Sequence, residues 1–480
     1  MANEIEKKQV DPSINVKITK KSHVQPKKKI GKKECQLVTF DLPYLAFFYN
    51  QKLLIYRIGN GSDFEQVVEK LKDGLSQVLV DFYQLAGKLN QDDDGVFKVM
   101  YDDDMEGVEL VEAIVDGNHD HHDDGNGNGN GNVDDGKMMM SVDDLASMED
   151  ITMMKHLIPY NFILNVEGRH RPLLAIQLTK LRDGLAMGCA FNHAVLDGTS
   201  TWHFMSSWAE ICNGVHSVSV PPFLDRTKAR STRVKLDMSR APPPDSNGHN
   251  AAAAAAAAPV LREKLFRFSD SAIEKLKSDL NARLQPSNGT PTKPFSTFQC
   301  LSTHIWRHVT AARGLKLEDA TVFTLFADCR RRVDPPMPET YFGNLIQAVF
   351  TGTAAGILLG NPPEFAAGMI QSAIAAHDAA AIEKRNKEWE ENPIIFQFKD
   401  AGVNCVAVGS SPRFKVYDVD FGFGRPERVR SGSNNRFDGM VYLYPGKCGG
   451  KSIDVEISLE EKAMENLERD MEFLMNLEVA

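Results

Sequence analysis

The sequence predicts an α/β protein of two sandwich-like lobes, each mixing sheet with helices, joined by an irregular central stretch. Three observations predict it. Strand-like and helix-like segments follow one another without the strict βαβ rhythm of a doubly wound sheet. The chain has 480 residues, which at about 150 residues per domain asks for two or three domains. A breaker-rich run (Pro242 to Pro244, SNGHN, eight alanines and Pro259) divides the two halves. The expected organisation is an N-terminal lobe over 1–222, a crossover linker over 223–262 and a C-terminal lobe over 263–480, with part of 366–400 against the first lobe.

Each element has its own signal. Val67, Leu71, Leu75, Val78 and Phe82 recur at three- or four-residue spacing and predict an amphipathic helix over 67–89. Residues 117–136 (GNHDHHDDGNGNGNGNVDDG) are low in complexity and predict a disordered surface insertion. Leu173 to Leu178 and Leu185 to Phe191 read as strands with Arg182-Asp183-Gly184 as their hairpin turn, and Thr199 to Cys212 reads as a helix. In the second half Lys264 to Phe268 reads as a strand, and Ser269 as the N-cap of the helix that follows. Phe295 to Ala312 reads as a helix capped by Thr297, and Thr321 to Asp328 as a strand. Ala366 to Trp389 reads as one long helix. Gly402 to Val408, Lys415 to Phe421, Met440 to Tyr444 and Ser452 to Ser458 complete the strands, and a closing helix starts near Leu459.

Composition bounds the function. Hydrophobic residues make up 42% and charged residues 25%, enough to bury a core. The longest apolar run, Ala251 to Leu261, is too short for a membrane span of about 20 residues. The polar start MANEIEKKQVDPS lacks a signal core, so a cytoplasmic protein is expected. Seven scattered cysteines without a CxxC pair fit reduced thiols and give no metal site. The net charge is −10, yet residues 91–150 hold 19 acidic against two basic side chains. The remainder is mildly basic, suited to an anionic small molecule and short of the basic stripe that nucleic acid requires.

Most familiar chemistry is absent. There is no phosphate loop and no G-x-S-x-G elbow, and Gly422-Phe423-Gly424 lacks the third glycine of a dinucleotide fingerprint. His304 and His308 have zincin spacing, but Ile305 occupies the place of the glutamate. What remains is His193-Ala-Val-Leu-Asp197 with Gly198, at a strand-to-helix turn where a side chain can be held at a cavity mouth. A neutral imidazole there suits a general base, and Asp197 either orients it or anchors the turn. No Ser or Cys marks itself as a partner, so direct activation of a substrate hydroxyl or amine is the simpler chemistry. A packed core histidine is the alternative. Asp420-Phe421-Gly422-Phe423-Gly424 reads as a sharp turn leaving a strand.

HAVLDG (193–198) followed by DFGFG (420–424) resembles the HxxxD and DFGWG pattern of the plant BAHD acyl-CoA-dependent acyltransferases. YQLAGKL (83–89), FSTF through HIWR (295–307) and DCRRR…PP…YFGN (328–344) resemble further segments of that family in order. DLPYLAFFYNQKLL (41–54) and AFNHAVLDGTSTWHFMSSWAEIC (190–212) are similar to its cutin-forming, defective-in-cuticular-ridges branch.

The resemblance implies the CoA-dependent acyltransferase fold with a tunnel between the lobes. It implies acyl-CoA as co-substrate, a hydroxyl-bearing small-molecule acceptor, no bound cofactor or metal, no nucleic acid and a monomer. His193 would deprotonate the acceptor, which attacks the thioester without an acyl-enzyme. Asp197 and Gly198 would support the site, Asp197 paired with an arginine: Arg330, with Arg331 and Arg332 as competitors. Asp420, Gly422 and Gly424 would be structural, and Ser296, Thr297, Phe421, Phe423 and Ser411 would line the tunnel. Phe423 stands where the family has Trp, which keeps the bulk but deletes an N–H donor. Ser411 stands where many members have another Trp, which would make room for a longer aliphatic substrate. The expected reaction is esterification of hydroxylated fatty acyl or glyceride substrates in cutin formation. A hydroxycinnamoyl transferase, or an idle scaffold of the same fold, is the alternative.

Overall fold

A computed structural model describes residues 15–59, 63–116, 140–149, 152–236, 261–284, 293–394 and 404–474. The insertion at 117–136, the first residues and the poly-Ala stretch lie outside the described residues.

The first half supplies β1 (Asn15–Val24), β2 (Lys33–Gln36), β3 (Asn50–Arg57), α1 (Phe64–Val78), β4 (Lys88–Gln91), β5 (Phe97–Tyr101), β6 (Val108–Asp116), α2 (Val142–Ser147), β7 (Leu174–Lys180), β8 (Gly184–Phe191) and α3 (Gly198–Cys212). The second half supplies β9 (Leu261–Phe268), α4 (Asp270–Ala282), α5 (Thr297–Ala312), β10 (Ala320–Asp328), β11 (Ile346–Ala354), α6 (Ala355–Gly360), α7 (Pro363–Ala376), α8 (Ala379–Glu391), β12 (Cys405–Val408), β13 (Arg428–Ser431), β14 (Met440–Pro445), β15 (Ile453–Glu460), α9 (Glu461–Glu468) and α10 (Met471–Leu474).

Two mixed six-stranded sheets result, ordered β1-β6-β7-β8-β3-β13 and β11-β10-β12-β14-β15-β9, with a small β2-β5-β4 sheet beside the first. The hairpin read at 182–184 joins β7 and β8 as an antiparallel pair. β13 comes from the second half yet pairs antiparallel with β3, Ser431 opposite Lys52. Ile382 of α8 packs with Val38 and Phe40 of the first half, and Arg230 pairs with Glu383 and Glu390 of α8 at 2.5 and 2.6 Å. The described start of the crossover is laced to the second half, with Phe223 N donating to Thr340 O and Phe342 N to Phe223 O, both at 2.9 Å.

Four local expectations are corrected. The helix read over 67–89 stops at Val78. Its apolar spacing runs on through a 3-10 turn at Tyr83–Ala86 because Phe82 and Leu85 are buried there too. Gly87 then enters β4 where a Cβ would collide with the Met100 carbonyl oxygen. The helix read over 366–389 is two helices: Arg332 donates to the carbonyls of Ile374 and His377, and Asp378 caps the second by accepting from Ala381 N at 2.9 Å. The strand read at 415–421 is a 3-10 turn over Val416–Asp418 and an unpaired segment; burial of Val416, Val419 and Phe421 mimics strand alternation. The cap of α5 is Ser296, not Thr297: its hydroxyl accepts from Gln299 N while Gln299 reaches back to Ser296 N, a capping box.

Candidate active site

β8 is buried at every position and delivers Asn192 and His193 to the gap before α3. Asn192 is itself buried and its side chain folds the turn, accepting from Ala194 N at 3.1 Å and donating to Asn165 O at 2.7 Å. The main chain of His193 is pinned on both sides: its N–H donates to Asn165 Oδ1 at 2.8 Å, and its carbonyl accepts from Asn344 Nδ2 at 2.8 Å. The ring stacks on Tyr44, centroids 4.4 Å apart and planes 11° off parallel. Imidazole orientation is therefore set by two main-chain bonds and one aromatic face.

His193 Nδ1 is sealed from solvent without a well-formed hydrogen bond, while the residue as a whole is only partly buried. Burial lowers the pKa of His193 below its ordinary value, against weaker opposing contributions from its own carbonyl, Asp197 and Asn344. The neutral ring is the resting form.

Asp197 caps α3, accepting from Ser200 N at 3.0 Å. It is wholly buried and faces Arg330, whose two terminal nitrogens donate to its two oxygens at 2.8 and 3.0 Å. Oδ2 also accepts from Leu345 N at 3.0 Å. Burial by itself raises the carboxyl pKa, but the Arg330 guanidinium and these N–H donors hold it below the ordinary value. Arg331 instead pairs with exposed Glu339, and Arg332 with main-chain carbonyls. Gly198 is a contact position: a Cβ would stand 2.8 Å from the Phe414 ring.

At DFGFG, Asp420 Oδ1 accepts from Gly422 N at 2.7 Å and Gly424 N at 2.9 Å, and both glycines hold positive φ (92° and 103°). Phe421 has no exposed surface and meets Trp208 edge-on at 4.8 Å, while Phe423 meets Tyr56 at 5.0 Å. The turn is thus fastened to α3 and β3. Ser411 is partly buried, its hydroxyl accepting from Arg413 N at 3.3 Å. Ser296 and Thr297 open α5, with the Ser296 hydroxyl spent on the cap.

The structure also assembles residues that the motif reading passed over. Buried Asp41 accepts from Asn344 N and Asn344 Nδ2 at 3.0 and 3.1 Å and pairs with buried Arg226 at 2.9 Å. Asn344 links that pair to the His193 carbonyl. An aspartate inside the otherwise apolar 37–49 stretch was the available signal. Among the described residues no group of His, Cys, Asp and Glu side chains is arranged to hold a metal ion, and no helix is long and apolar enough to cross a membrane.

Comparison with known proteins adds three findings. The Transferase family model matches residues 14–121 and 124–474. The chain is 61% identical to the BAHD acyltransferase DCR of Arabidopsis thaliana over 97% of this chain and 93% of that protein. Among solved structures it resembles vinorine synthase (TM-score 0.69, 19% identity, covering 97% and 99% of the two chains). It resembles equally the F. sporotrichioides protein TRI101 complexed with coenzyme A and T-2 (TM-score 0.68, 19% identity, covering 93% and 99%). At those identities the last two bear on the fold, two lobes of mixed sheet and helix.

Proposed function

The chain belongs to the BAHD acyltransferases of the Transferase family and is an acyl-CoA-dependent acyltransferase; from that premise we propose that it esterifies a hydroxyl group, with His193 as the base. The observation that carries the proposal is the state of the ring: a sealed Nδ1 on a histidine that still keeps some exposed surface, with a pKa depressed by burial. Nε2 takes the proton of the acceptor hydroxyl as its oxygen attacks the thioester carbonyl carbon. The tetrahedral intermediate collapses by breaking the C–S bond, and the imidazolium returns the proton to the departing thiolate of CoA. Acyl group, proton and electron pairs all balance, and the ring ends as it began.

No acyl-enzyme is needed. The thiol of Cys189, the cysteine on the strand leading to His193, has its pKa pushed far up by burial, the opposite of an activated nucleophile. Asp197 does not relay the proton; its oxygens are spent on Arg330 and two main-chain N–H groups. The reading places acyl-CoA and acceptor on opposite sides of His193, in the space between lobes, in a monomer working in the cytoplasm with no bound cofactor.

For the substrates we favour hydroxylated fatty acyl or glyceride compounds and a place in cutin formation. The cutin-branch segments at 41–54 and 190–212 support this, as does the small residue Ser411 where many members of the family carry tryptophan. Incubating the purified protein with mixed acyl-CoA donors and hydroxyl acceptors, read by mass spectrometry, tests it. Ester products from hydroxy-fatty acyl-CoA are expected, and exclusive use of coumaroyl-CoA would overturn the substrate assignment.

A further inference from the structure

One buried cation has no task in that reaction. Lys52 of β3 is 4% exposed. It donates two long hydrogen bonds, to Asn50 Oδ1 and Tyr444 OH, each 3.3 Å, and among the described residues it has no carboxylate at ion-pair distance. The anions of the neighbouring strand are engaged elsewhere: Glu456 with Arg436 at 2.8 Å and with Ser431 N, Asp454 with Arg267 and Arg430. Glu456 acts on the ammonium through space only, and burying an ammonium without a paired carboxylate is unfavourable, so a protein that does so leaves a charge to be met.

The surroundings are built. The ammonium lies 5.6 and 5.9 Å from the ring centres of Tyr442 and Tyr444. Tyr444 OH and Ser431 Oγ share a 2.6 Å hydrogen bond, and Ser431 is the register partner of Lys52 across β13 and β3. Lysine, tyrosine and serine therefore meet where the first sheet faces the second. Lys52 is also the register partner of Cys189 on β8, and Asn50 that of Phe191. Directly opposed residues of a sheet leave by the same face, and Cys189 and Phe191 both enter the core shared by the two lobes. His193 follows two residues later, close enough for the Lys52 charge to act on its ring.

We infer that Lys52, with Tyr444 and Ser431, binds the carboxylate of the acceptor, so that the acceptor is a hydroxy acid presenting its hydroxyl to His193 and its ionised carboxyl group to this cluster. The inference rests on the reading of His193 as the base. One cation and two neutral hydroxyls match a single negative charge. A phosphate dianion would be under-compensated and would meet the field of Glu456 with twice the charge of a carboxylate.

Calorimetric binding of ω-hydroxydecanoate and of its methyl ester to the full-length protein, with CoA present, tests the site independently of turnover. The acid is expected to bind at least about tenfold more tightly than the ester, as a charge-assisted bond implies. Lys52→Met and Lys52→Gln are expected to bring the acid down to the ester. Should neither variant fold, raising the pH of the unaltered protein from about 7 to about 10 is expected to erase the difference. Burial lowers the Lys52 pKa to about 8. Of the groups around it, Cys189, Tyr442, Tyr444 and Arg436 are shifted upward and His193 downward, and Glu456 is ion-paired with Arg436, so the ammonium is the group that changes state.

Equal affinities in the unaltered protein, no binding of either compound, or a difference that survives both Lys52→Met and high pH each overturn the inference. Selective binding without ester formation leaves this site standing and overturns the acyl-transfer reading for hydroxy acids. Turnover of acid and ester with equal affinities does the reverse.

Discussion

The HAVLDG and DFGFG turns each depend on an aspartate, and the two carboxylates are used in opposite ways. Asp197 is wholly buried and tied by a two-pronged ion pair to Arg330, a residue of the other half of the chain. Asp420 is only partly buried and accepts from two glycine N–H groups within its own turn. The first turn is fixed by charge across the lobes, whereas the second is fixed by local main-chain bonds and by aromatic packing on Trp208 and Tyr56. The side chain proposed to present one nitrogen to a reactant sits in the turn held by the buried ion pair, and the DFGFG turn is held by its local bonds and ring packing.

Four measurements break or sharpen that contrast. His193→Ala is expected to lower the rate of acyl transfer by about 10²–10⁴, with the circular dichroism spectrum unchanged; retention of more than about a tenth of the rate removes the histidine from the reaction. Asp197→Ala leaves Arg330 as an uncompensated buried cation and is expected to cost about 3–5 kcal/mol of stability in urea unfolding. Asp420→Ala gives up two partly solvated hydrogen bonds and is expected to cost about 1–2 kcal/mol, with activity reduced but present. An equal loss in the two aspartate variants would erase the distinction between the turns.

The smallest effect lies in the pH profile. Because burial lowers the His193 pKa, the neutral base persists as the solution is acidified, and activity is lost only as pH falls through the depressed value. The acid limb of kcat/KM is expected below the ordinary histidine value of about 6.5. A limb at or above that value would mean a ring held in its charged form.

Local spacing and cap chemistry made much of this molecule legible. The β7–β8 hairpin, α3 and the Ser269 cap follow from period-two and period-3.6 patterns and from turn residues, all of them short-range signals. Two of the misreadings, the overlong first helix and the strand at 415–421, share one cause. Phe82, Val416 and Val419 are buried by distant neighbours, so an apolar rhythm continued where no helix or ladder did. At the site, the ordered motifs marked His193 and Asp197. Asp41, Arg226 and Asn344 lie far apart in sequence and acquire their meaning only when three segments converge. Lys52 is hidden for a related reason: nothing in NQKLLIYR reveals that its ammonium ends beneath Tyr444 of the other sheet.

The four residues of β13 carry a mechanical consequence. Arg428–Ser431 leave the second half of the chain and are laddered onto β3, with Glu427 N adding a 2.6 Å bond to Ile55 O. The halves are dovetailed, and a clamshell opening would have to shear that joint. If His193 is the base proposed above, reactants are expected to reach it by movement of loops and side chains rather than by parting of the two halves, because the β13–β3 ladder would have to break first.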